Sequence, residues 1–382
     1  MTLKLRLPHY FLFHLNAEVK ELYVAAGIAD VALSAMLVFE PIYLYQAIGL
    51  SVPMVLIFFA AVYAWYALLI PFGGKFTAAF GYKRAMALSI FFQLGYWACL
   101  FFAASSPLLL WVAPMLYAIE KSLYWPAFHG IVARFANQGQ VGREFSMLTA
   151  IIQAAQIIGP FLGGVLAQVS GSQNLLIAAG AIYVIALIPL LIHKEGYQER
   201  PYSFRDTWNL YGTQMKKSIG YWGFGEELLA LTIWPIFIFI ALAGYQEAGM
   251  VITIASALSA GISLYLGKLT DGAAKMPMLK LGAVATALGW FVRPLLPGTG
   301  GSLAADTTAR VGKNVYFIPL STVTYERAEA TDIIPYIVFF EQSLAIGKLL
   351  TALVAALLFA VTGSFPLLFV LAGLMSFLYI LL

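Results

Sequence analysis

The chain is poor in charge and has almost no cysteine. Only 10% of its 382 residues are Asp, Glu, Lys or Arg, whereas soluble globular domains contain about 25%. Cys99 is the single cysteine, which excludes an intrachain disulfide and a cysteine-rich metal site. The sequence also lacks a G-x-S-x-G elbow, an H-E-x-x-H helix and a Gly-rich phosphate loop with Lys and Ser or Thr. We therefore expect no enzyme, no cofactor and no bound metal.

Long apolar stretches dominate the chain instead. Hydrophobic residues make up 62% of it, and its mean hydropathy is +0.86. Stretches of about 20 apolar residues recur, which is the length that a helix needs to cross a bilayer. They do not alternate polar and apolar residues as barrel strands do. The pattern predicts an all-α membrane protein with twelve transmembrane helices, at residues 22–46, 51–73, 84–104, 107–133, 144–168, 174–193, 219–244, 246–267, 277–297, 300–325, 333–361 and 365–382.

Basic residues fall at the N-terminus and in every second loop between these stretches. The alternate loops around 46–51, 105–107, 168–173 and 362–365 carry no charge. Because short loops rich in Lys and Arg stay in the cytoplasm, we expect a multi-pass protein of the plasma membrane with both termini cytoplasmic. The net charge of +4 reflects this asymmetry. It does not indicate nucleic-acid binding, since no soluble basic domain is present.

The sequence also contains an internal repeat. A basic segment from Gly74 to Arg84 returns 193 positions later as Gly267 to Lys275, and Lys121 returns as Lys313. Such a period indicates two stacked halves of one membrane protein. The longest polar interval lies between them, so we predict three parts: a six-helix bundle over 1–193, a cytoplasmic linker over 194–218 and a second six-helix bundle over 219–382.

The two basic segments follow a G-x-L-a-D-r-x-G-r-k pattern. The first segment fits it at Gly74, Gly81 and Lys83, with Arg84 beside them, but has Ala78 in place of the acid. The second segment keeps the acid, and its matching residues are Gly267, Asp271 and Lys275. Glycine turns let helices approach closely, and their charges can hold helix ends together. We interpret both segments as cytoplasmic gating turns. In the first half, where Ala78 replaces the acid, we expect the charged contact between the helix ends to be weaker.

The fifth predicted helix contains Gly159, Pro160, Gly163 and Gly164, which match a G-P-x-x-G-G core. With the repeated segments, this motif makes the chain resemble the major facilitator superfamily over essentially its whole length, and in particular the antiporters of that superfamily. Glycines at one-turn spacing allow tight helix packing. Small residues also pack membrane helices generally, and that plainer interpretation stays open. The resemblance implies a monomer that transports a small molecule, with the first, fourth, seventh and tenth helices lining a central cavity.

Ionisable residues inside the predicted helices are numerous, although each costs several kcal/mol without partners or water. Asp306 and Arg310 are four residues apart, so we expect a fixed ion pair. Across the cavity we expect Asp30 to pair with Lys121 and Glu226 with Lys313. Desolvation raises the pKa of a carboxylate and a nearby cation lowers it, so a carboxylate subject to both effects can take up and release a proton. The proton-coupling candidates are Asp30, Glu226 and Glu341, the last where the first half has Gln153.

The remaining interior residues are candidates to contact a solute. They combine carboxylates, lysines and aromatic rings, which bind organic cations or amphiphiles; they are Glu120, Lys121, Tyr124, Glu227, Lys313 and Tyr316. The two lysines would equally suit an anion, so the sign of the solute stays open. Glu40 fits a solvated rim position, and His129 fits a hydrogen-bonded structural role.

The sequence therefore favours a secondary transporter with alternating access that exports a small organic or amphiphilic solute in exchange for protons. One alternative is an importer of an organic anion or a sugar. An alternative of another class is a membrane protein that transports no solute, such as a lipid scramblase or a sensor.

Overall fold

The structure is a computed structural model. It describes the backbone of residues 17–135, 141–192, 201–242, 244–270, 275–296 and 298–382, and the side chains of these residues except 17–19, 135, 141–147, 149 and 261–270. The described chain is almost entirely α-helical. This follows from its apolar composition, because a backbone in lipid must satisfy its hydrogen bonds internally.

The first half consists of six spans. They are built from α1 (Ala17–Gln46), α2 (Val52–Phe80), α3 (Tyr82–Phe102), α4 (Leu109–Phe135), α5 (Val141–Ser170) and the consecutive α6 (Ser172–Ile185) and α7 (Leu187–Ile192). In this half α1 packs against α5 and α6, while α4 packs against α2 and α3.

The second half also consists of six spans. α8 (Phe204–Tyr221) continues through a 3-10 turn into α9 (Gly225–Leu242), and α10 (Tyr245–Thr270), α11 (Lys275–Val292), α12 (Gly298–Ala330), α13 (Ile333–Thr362) and α14 (Phe365–Ser376) follow. α12 packs against α10 and α11, and α14 against α9 and α11. The all-α architecture of twelve spans in two six-helix bundles is thus confirmed.

By length and hydropathy alone, seven segments of the described chain qualify as membrane spans. α12 is not among them, because Asp306, Arg310 and Lys313 lie in its central turns. Such a helix is stable in a membrane only where its charged face is covered by protein or by water. The charges of α12 therefore mark the interior of the second half.

The two halves meet along two long contacts, α2 with α13 and α5 with α10, and α1 also touches α9. We call the end of the bundle where α2 ends and α3 begins the basic end, because Lys83, Arg84 and Lys275 lie there. The opposite end, where α1 ends and α10 begins, is called the neutral end.

The first basic segment is not the turn that we expected. α2 continues through Gly74 to Phe80, and α3 begins at Tyr82. Gly81 alone breaks the helix, with φ of 95°, a conformation that glycine adopts without steric cost. The backbone of α10 likewise continues past Gly267 to Thr270, and Asp271 lies outside the described residues. The close approach that we expected does occur, since the Cα of Gly74 lies against Val338 of α13.

The predicted linker is partly helical. Residues 204–218 belong to α8, which Ser203 and Asp206 begin with a capping box, while residues 193–200 lie outside the described part of the chain. Thr207 of α8 donates a hydrogen bond of 3.3 Å to the carbonyl of Pro335 on α13. This segment is therefore attached to the second half. The division at 1–193, 194–218 and 219–382 stays a prediction.

Candidate functional site

Asp30 lies in the middle of α1 and is half-buried. Among the described residues it has no hydrogen bond and no ion pair, and its electrostatic neighbours include Tyr124 and Tyr183. The expected pair with Lys121 is wrong. The ammonium group of Lys121 lies 4.1 Å from the ring centroid of Tyr117 and is close enough to interact with Glu40. Glu40 is ten residues beyond Asp30, about 15 Å along α1. Lys121 therefore interacts with Glu40 rather than with Asp30.

Glu40 is a buried residue rather than a solvated rim residue. Its carboxylate accepts a hydrogen bond of 2.6 Å from the hydroxyl of Tyr96. Glu120 of α4 is also buried. Among the described residues, this part of the first half contains the carboxylates of Asp30, Glu40 and Glu120 and the ammonium group of Lys121, while the buried Glu21 is already bonded to Lys83. The excess of acid would attract a cation.

Tyr124 belongs to an aromatic cluster on α4. It lies edge-on to Trp125 at 5.2 Å between ring centroids and is stacked on Phe128 at 5.7 Å. Aromatic faces beside carboxylates can bind organic cations. Tyr124 is the member of the predicted solute-contacting set that the structure brings near Asp30.

In the second half, Glu227 holds two lysines. Its carboxylate is bonded to Lys313 of α12 and, at 2.8 Å, to Lys348 of α13. The expected pair of Lys313 with Glu226 is therefore wrong by one residue. Adjacent residues on a helix point about 100° apart, and Glu227 is the one that faces α12 and α13. Both lysines that we considered as anion ligands therefore have partners already. Lys313 is bonded to the carboxylate of Glu227, and Lys121 lies over the ring of Tyr117.

Glu226 is buried and is held by neutral donors. The indole nitrogen of Trp290 donates a hydrogen bond of 2.7 Å to it, and the hydroxyl of Tyr316 donates one of 3.2 Å. Tyr316 is stacked on Tyr379, with 4.5 Å between ring centroids. Tyr316 therefore belongs to the packed interior of the second half, where it positions Glu226.

The expected ion pair within α12 is confirmed. Nε of Arg310 lies 2.8 Å from the carboxylate of Asp306. Sequence reasoning missed a second partner, because Arg293 approaches the same carboxylate at 3.6 Å. Its guanidinium lies 3.4 Å from the ring centroid of Trp290 and 4.1 Å from that of Trp234. The available signal was that Arg293 is a basic residue inside the helix predicted at 277–297, directly before Pro294.

Glu341 lies where the two halves meet. Its carboxylate accepts a hydrogen bond of 2.7 Å from the hydroxyl of Tyr66 on α2, and Nε2 of His129 on α4 lies 2.8 Å away. Nδ1 of His129 is 2.7 Å from the hydroxyl of Tyr325 on α12. This Glu341 cluster, consisting of Tyr66, His129, Tyr325 and Glu341, joins two helices of each half. We expected His129 to form a structural hydrogen bond. We did not predict that its partner would be a titratable residue of the other half, Glu341.

At the basic end, Lys83 is bonded to Glu21 of α1, and both side chains are buried. In the second half, Lys275 is bonded to Glu326 of α12 on a more exposed surface. Arg84 is exposed. The repeat-related lysines thus bind different helices, so the first half keeps a buried ion pair although Ala78 replaces the acid of the motif.

The motif of α5 forms a tight seam, which we call the glycine seam: Gly159, Pro160, Gly163 and Gly164. A side chain on Gly159 or Gly163 would lie 2.8 Å from the backbone of Ala35 on α1, and one on Gly164 would lie 3.0 Å from the carbonyl of Tyr245 on α10. The seam therefore packs α5 against α1 of its own half and against α10 of the other half, towards the neutral end. The close packing expected from the motif is present.

Comparison with known families gives a match over most of the chain. The model of the Major Facilitator Superfamily matches residues 22–305. The chain also superimposes on the structure of the E. coli fucose:proton symporter FucP, with a TM-score of 0.67, 13% identity and coverage of 96% of this chain and 98% of that one. A structure of a proton-dependent oligopeptide transporter gives 0.66, at 12% identity and 94% and 96% coverage. At these identities the structures show a shared fold.

Curated relatives match parts of the chain. The methylenomycin A resistance protein of Bacillus subtilis is 29% identical over 126 residues, covering 32% of this chain and 26% of that protein. A Na⁺, Li⁺, K⁺/H⁺ antiporter of Planococcus maritimus is 32% identical over 133 residues, covering 34% and 31%. The quinolone resistance protein NorA of Staphylococcus aureus is 24% identical over 182 residues, covering 47% and 46%. The chain therefore matches less than half the length of each relative.

Proposed function

Because the chain belongs to the Major Facilitator Superfamily of membrane transporters, we propose that it exports a small organic or amphiphilic cation in exchange for protons. It works by alternating access as a monomer in the plasma membrane. The domain division, the coupling residues Asp30, Glu226 and Glu341, and the solute-contacting residues Glu120, Lys121 and Tyr124 belong to this proposal.

The observation that carries the proposal is the half-buried carboxylate of Asp30, which has no ion-pair partner among the described residues. A buried anion without a partner is unfavourable. Binding of either a proton or a cationic solute to Asp30 would remove this unfavourable free energy. Competition between the two for one carboxylate couples their movements in opposite directions. That competition is the chemical requirement of an exchanger.

The surroundings support a cation rather than an anion. Glu120 adds a second buried acid on α4, and Tyr124 supplies an aromatic face near Asp30. In the second half, Lys313 and Lys348 are both directly bonded to the carboxylate of Glu227, with which an organic anion would have to compete. The lysines are therefore poor ligands for an organic anion, which weakens the importer alternative.

Export is supported by the glycine seam and by the names of the relatives. Two relatives are resistance proteins and one is an antiporter. The seam packs α5 tightly against α1 and α10 towards the neutral end. Tight packing there favours loading of the solute from the basic end, which the charge pattern predicts to be cytoplasmic.

The test is solute flux in proteoliposomes under an imposed pH gradient, with a quinolone and tetraphenylphosphonium as probes. We expect uptake into vesicles with an acidic lumen and loss of the gradient response in Asp30→Asn. Asp306→Asn is the matched control, because the Asp306 carboxylate is already paired with Arg310; its flux, corrected for folded protein, keeps the gradient response. Wild-type flux that is equal with and without a pH gradient contradicts proton coupling.

The same vesicles separate the alternatives. Flux that follows a Na⁺ gradient instead would replace the proton as the coupling ion. Uptake of an organic anion or sugar together with protons would favour an importer. Movement of labelled lipid between leaflets without any gradient would indicate a scramblase.

A further inference from the structure

We infer that His129 and Glu341 form a second proton-binding site, separate from Asp30, which closes the basic end of the molecule when it is protonated. The inference rests on the proposed function and deepens it, since it assigns a proton to the contact between the halves. It starts from the Glu341 cluster, in which a histidine of one half meets a carboxylate of the other at 2.8 Å.

The site is enclosed. The side chain of His129 is 12% exposed and that of Glu341 is 4% exposed. Trp125 is stacked on the imidazole at 5.3 Å between ring centroids, and Phe340 meets it edge-on at 5.7 Å. Aromatic walls exclude water from the pair. A change of charge here is therefore felt more strongly than at a surface.

Both protonation states satisfy the hydrogen bonds of the cluster. With a neutral imidazole, Tyr325 donates to Nδ1, Nε2–H donates to one oxygen of Glu341, and Tyr66 donates to the other oxygen. After proton uptake, Nδ1–H donates to the hydroxyl oxygen of Tyr325 instead. The geometry stays the same, while the net charge of the cluster changes from −1 to zero.

This difference makes proton binding depend on conformation. With a neutral imidazole, the closed contact encloses a carboxylate that has hydrogen bonds but no directly bonded cation among the described residues, which is unfavourable. The added proton turns the contact into an ion pair. When the halves separate at the basic end, His129 and Glu341 are solvated independently and the pair is lost. Proton uptake therefore favours the closed basic end, and opening of that end releases the proton there.

Other titratable groups face the cluster from the helices packed around it. Lys348 lies on the same helix as Glu341 and interacts with it electrostatically. Further titratable groups described around the cluster include Tyr63 of α2 and Glu120 of α4, which interact with Tyr66, and Tyr23 of α1, which interacts with Tyr325. Tyr82 of α3 lies against Gly130, next to His129, Tyr221 packs on Phe340, and Glu227 of α9 is bonded to Lys348.

The repeat places a neutral contact at the related position. Gln153 of α5 donates a hydrogen bond of 3.3 Å to Asn314 of α12, as Glu341 of α13 contacts His129 of α4. A second neutral contact lies beside the cluster, where Gln342 donates a hydrogen bond of 2.8 Å to the carbonyl of Ala67 on α2. Amides do not titrate in the physiological range. The Glu341 cluster is therefore the pH-sensitive one among these three contacts between the halves.

The experiment measures the distance between two spin labels across the basic end, in nanodiscs and without solute. Ala79→Cys on α2 and Ala330→Cys on α12 are exposed positions of opposite halves, introduced with Cys99→Ser. Raising the pH from about 5.5 to about 8.5 spans the titration of histidine. If the closed state binds the proton about tenfold more tightly, the ratio of closed to open molecules falls by up to about tenfold. If the distance distribution of the wild type does not change with pH, the inference is overturned.

Variants identify the group. His129→Gln and Glu341→Gln keep the size of the side chain and should each abolish the pH dependence. Gln342→Leu removes the neutral contact and should lower the closed fraction at every pH while the pH dependence remains. Retention of the wild-type pH dependence in both His129→Gln and Glu341→Gln overturns the assignment. Because the wild type and Gln342→Leu already test the pH response, misfolding of one variant does not decide the outcome.

Asp30→Asn separates this inference from the proposed function. It removes the exchange carboxylate but leaves the Glu341 cluster intact, so the pH-dependent closure should persist in it. Failure of gradient-driven flux with intact pH-dependent closure would overturn the exchanger and leave the second site standing. Loss of the pH-dependent closure in Asp30→Asn would show that Asp30 is the proton site responsible and overturn the inference.

Discussion

Glu226 and Glu227 are neighbours in the chain but have opposite kinds of partner. Glu226 accepts hydrogen bonds from an indole and a phenol, whereas Glu227 is bonded to two ammonium groups. Hydrogen bonds from neutral donors oppose protonation of a carboxylate less strongly than two directly bonded cations do. We therefore keep Glu226 as a proton-coupling candidate in the proposed function and assign Glu227 to stability.

Replacing Glu227 tests that assignment. Glu227→Gln leaves Lys313 and Lys348 facing each other without an anion, and breaking a buried ion pair in this way costs about 3 kcal/mol. The midpoint of thermal unfolding in detergent should fall clearly. Arg310→Gln is the matched control: Asp306 keeps Arg293 as a second partner, and the Arg310 side chain is 27% exposed, so the midpoint should change little.

The double variant Glu227→Gln/Lys348→Met checks the cause. It removes one of the two unpaired cations along with the anion, so part of the lost midpoint should return. A double variant less stable than Glu227→Gln alone would show that Lys348 stabilises the fold by its packing against Tyr63 and Phe224 rather than through Glu227.

Contacts within one helix were predictable and contacts between helices were not. Asp306 and Arg310 are four residues apart, and a helix places them together. Lys313 bonds to Glu227 rather than Glu226 because the rotation of α9 about its axis is set by packing, which the sequence does not reveal. The contact of His129 with Glu341 joins residues 212 positions apart in the chain. Two interior titratable residues near the same end were its only signal.

At the scale of elements, the glycine seam sets how closely α5 approaches α1 and α10. Ser34 of α1 donates a hydrogen bond of 3.0 Å to the carbonyl of Ala155, and Thr253 of α10 donates one of 3.2 Å to the carbonyl of Ile157. Such bonds to the backbone of another helix require the short separation that glycine permits. The seam thus links packing within the first half to the contact between the halves.

A methyl group in the seam should therefore be costly. In Gly159→Ala the added carbon would collide with Ser34 and lie 2.8 Å from the backbone nitrogen of Ala35, so α1 and α5 must move apart. We expect a lower thermal midpoint and weaker contact at the neutral end. Gly212→Ala on α8 is the control: nothing lies within 4 Å of its added carbon, and alanine favours a helix by about 1 kcal/mol over glycine. Equal midpoints for both variants would contradict the packing role.

The seam was predictable because glycine spacing along one helix reports a close neighbour. The end of α2 was not predictable, although glycine is the residue involved there as well. Gly74 signals close packing against Val338 and leaves the helix intact, whereas Gly81 ends it with a positive φ. Glycine serves both purposes, and the residues between, from Ala78 to Phe80, favour continuation. Only the three-dimensional packing distinguishes the two cases.

At the scale of the whole molecule, the two ends differ in how the halves are joined. The neutral end is held by glycines and backbone contacts between α5 and α10. The basic end is held by the Glu341 cluster and by the contact of α2 with α13. Packing contacts depend little on pH, while the cluster carries a titratable pair. The duplicated architecture therefore has one end suited to control by protons, and that end should face the cytoplasm.

Orientation is the last prediction. Single cysteines at exposed positions, in a Cys99→Ser background, report it through a membrane-impermeant maleimide on intact cells. Ser106→Cys and Thr362→Cys at the neutral end should react from outside, whereas Ala79→Cys and Ala330→Cys at the basic end should react only after permeabilisation. The physical reason is that short basic loops are retained in the cytoplasm. The reverse pattern would place the Glu341 cluster at the external end, and the proton released on opening would then leave the cell rather than enter it.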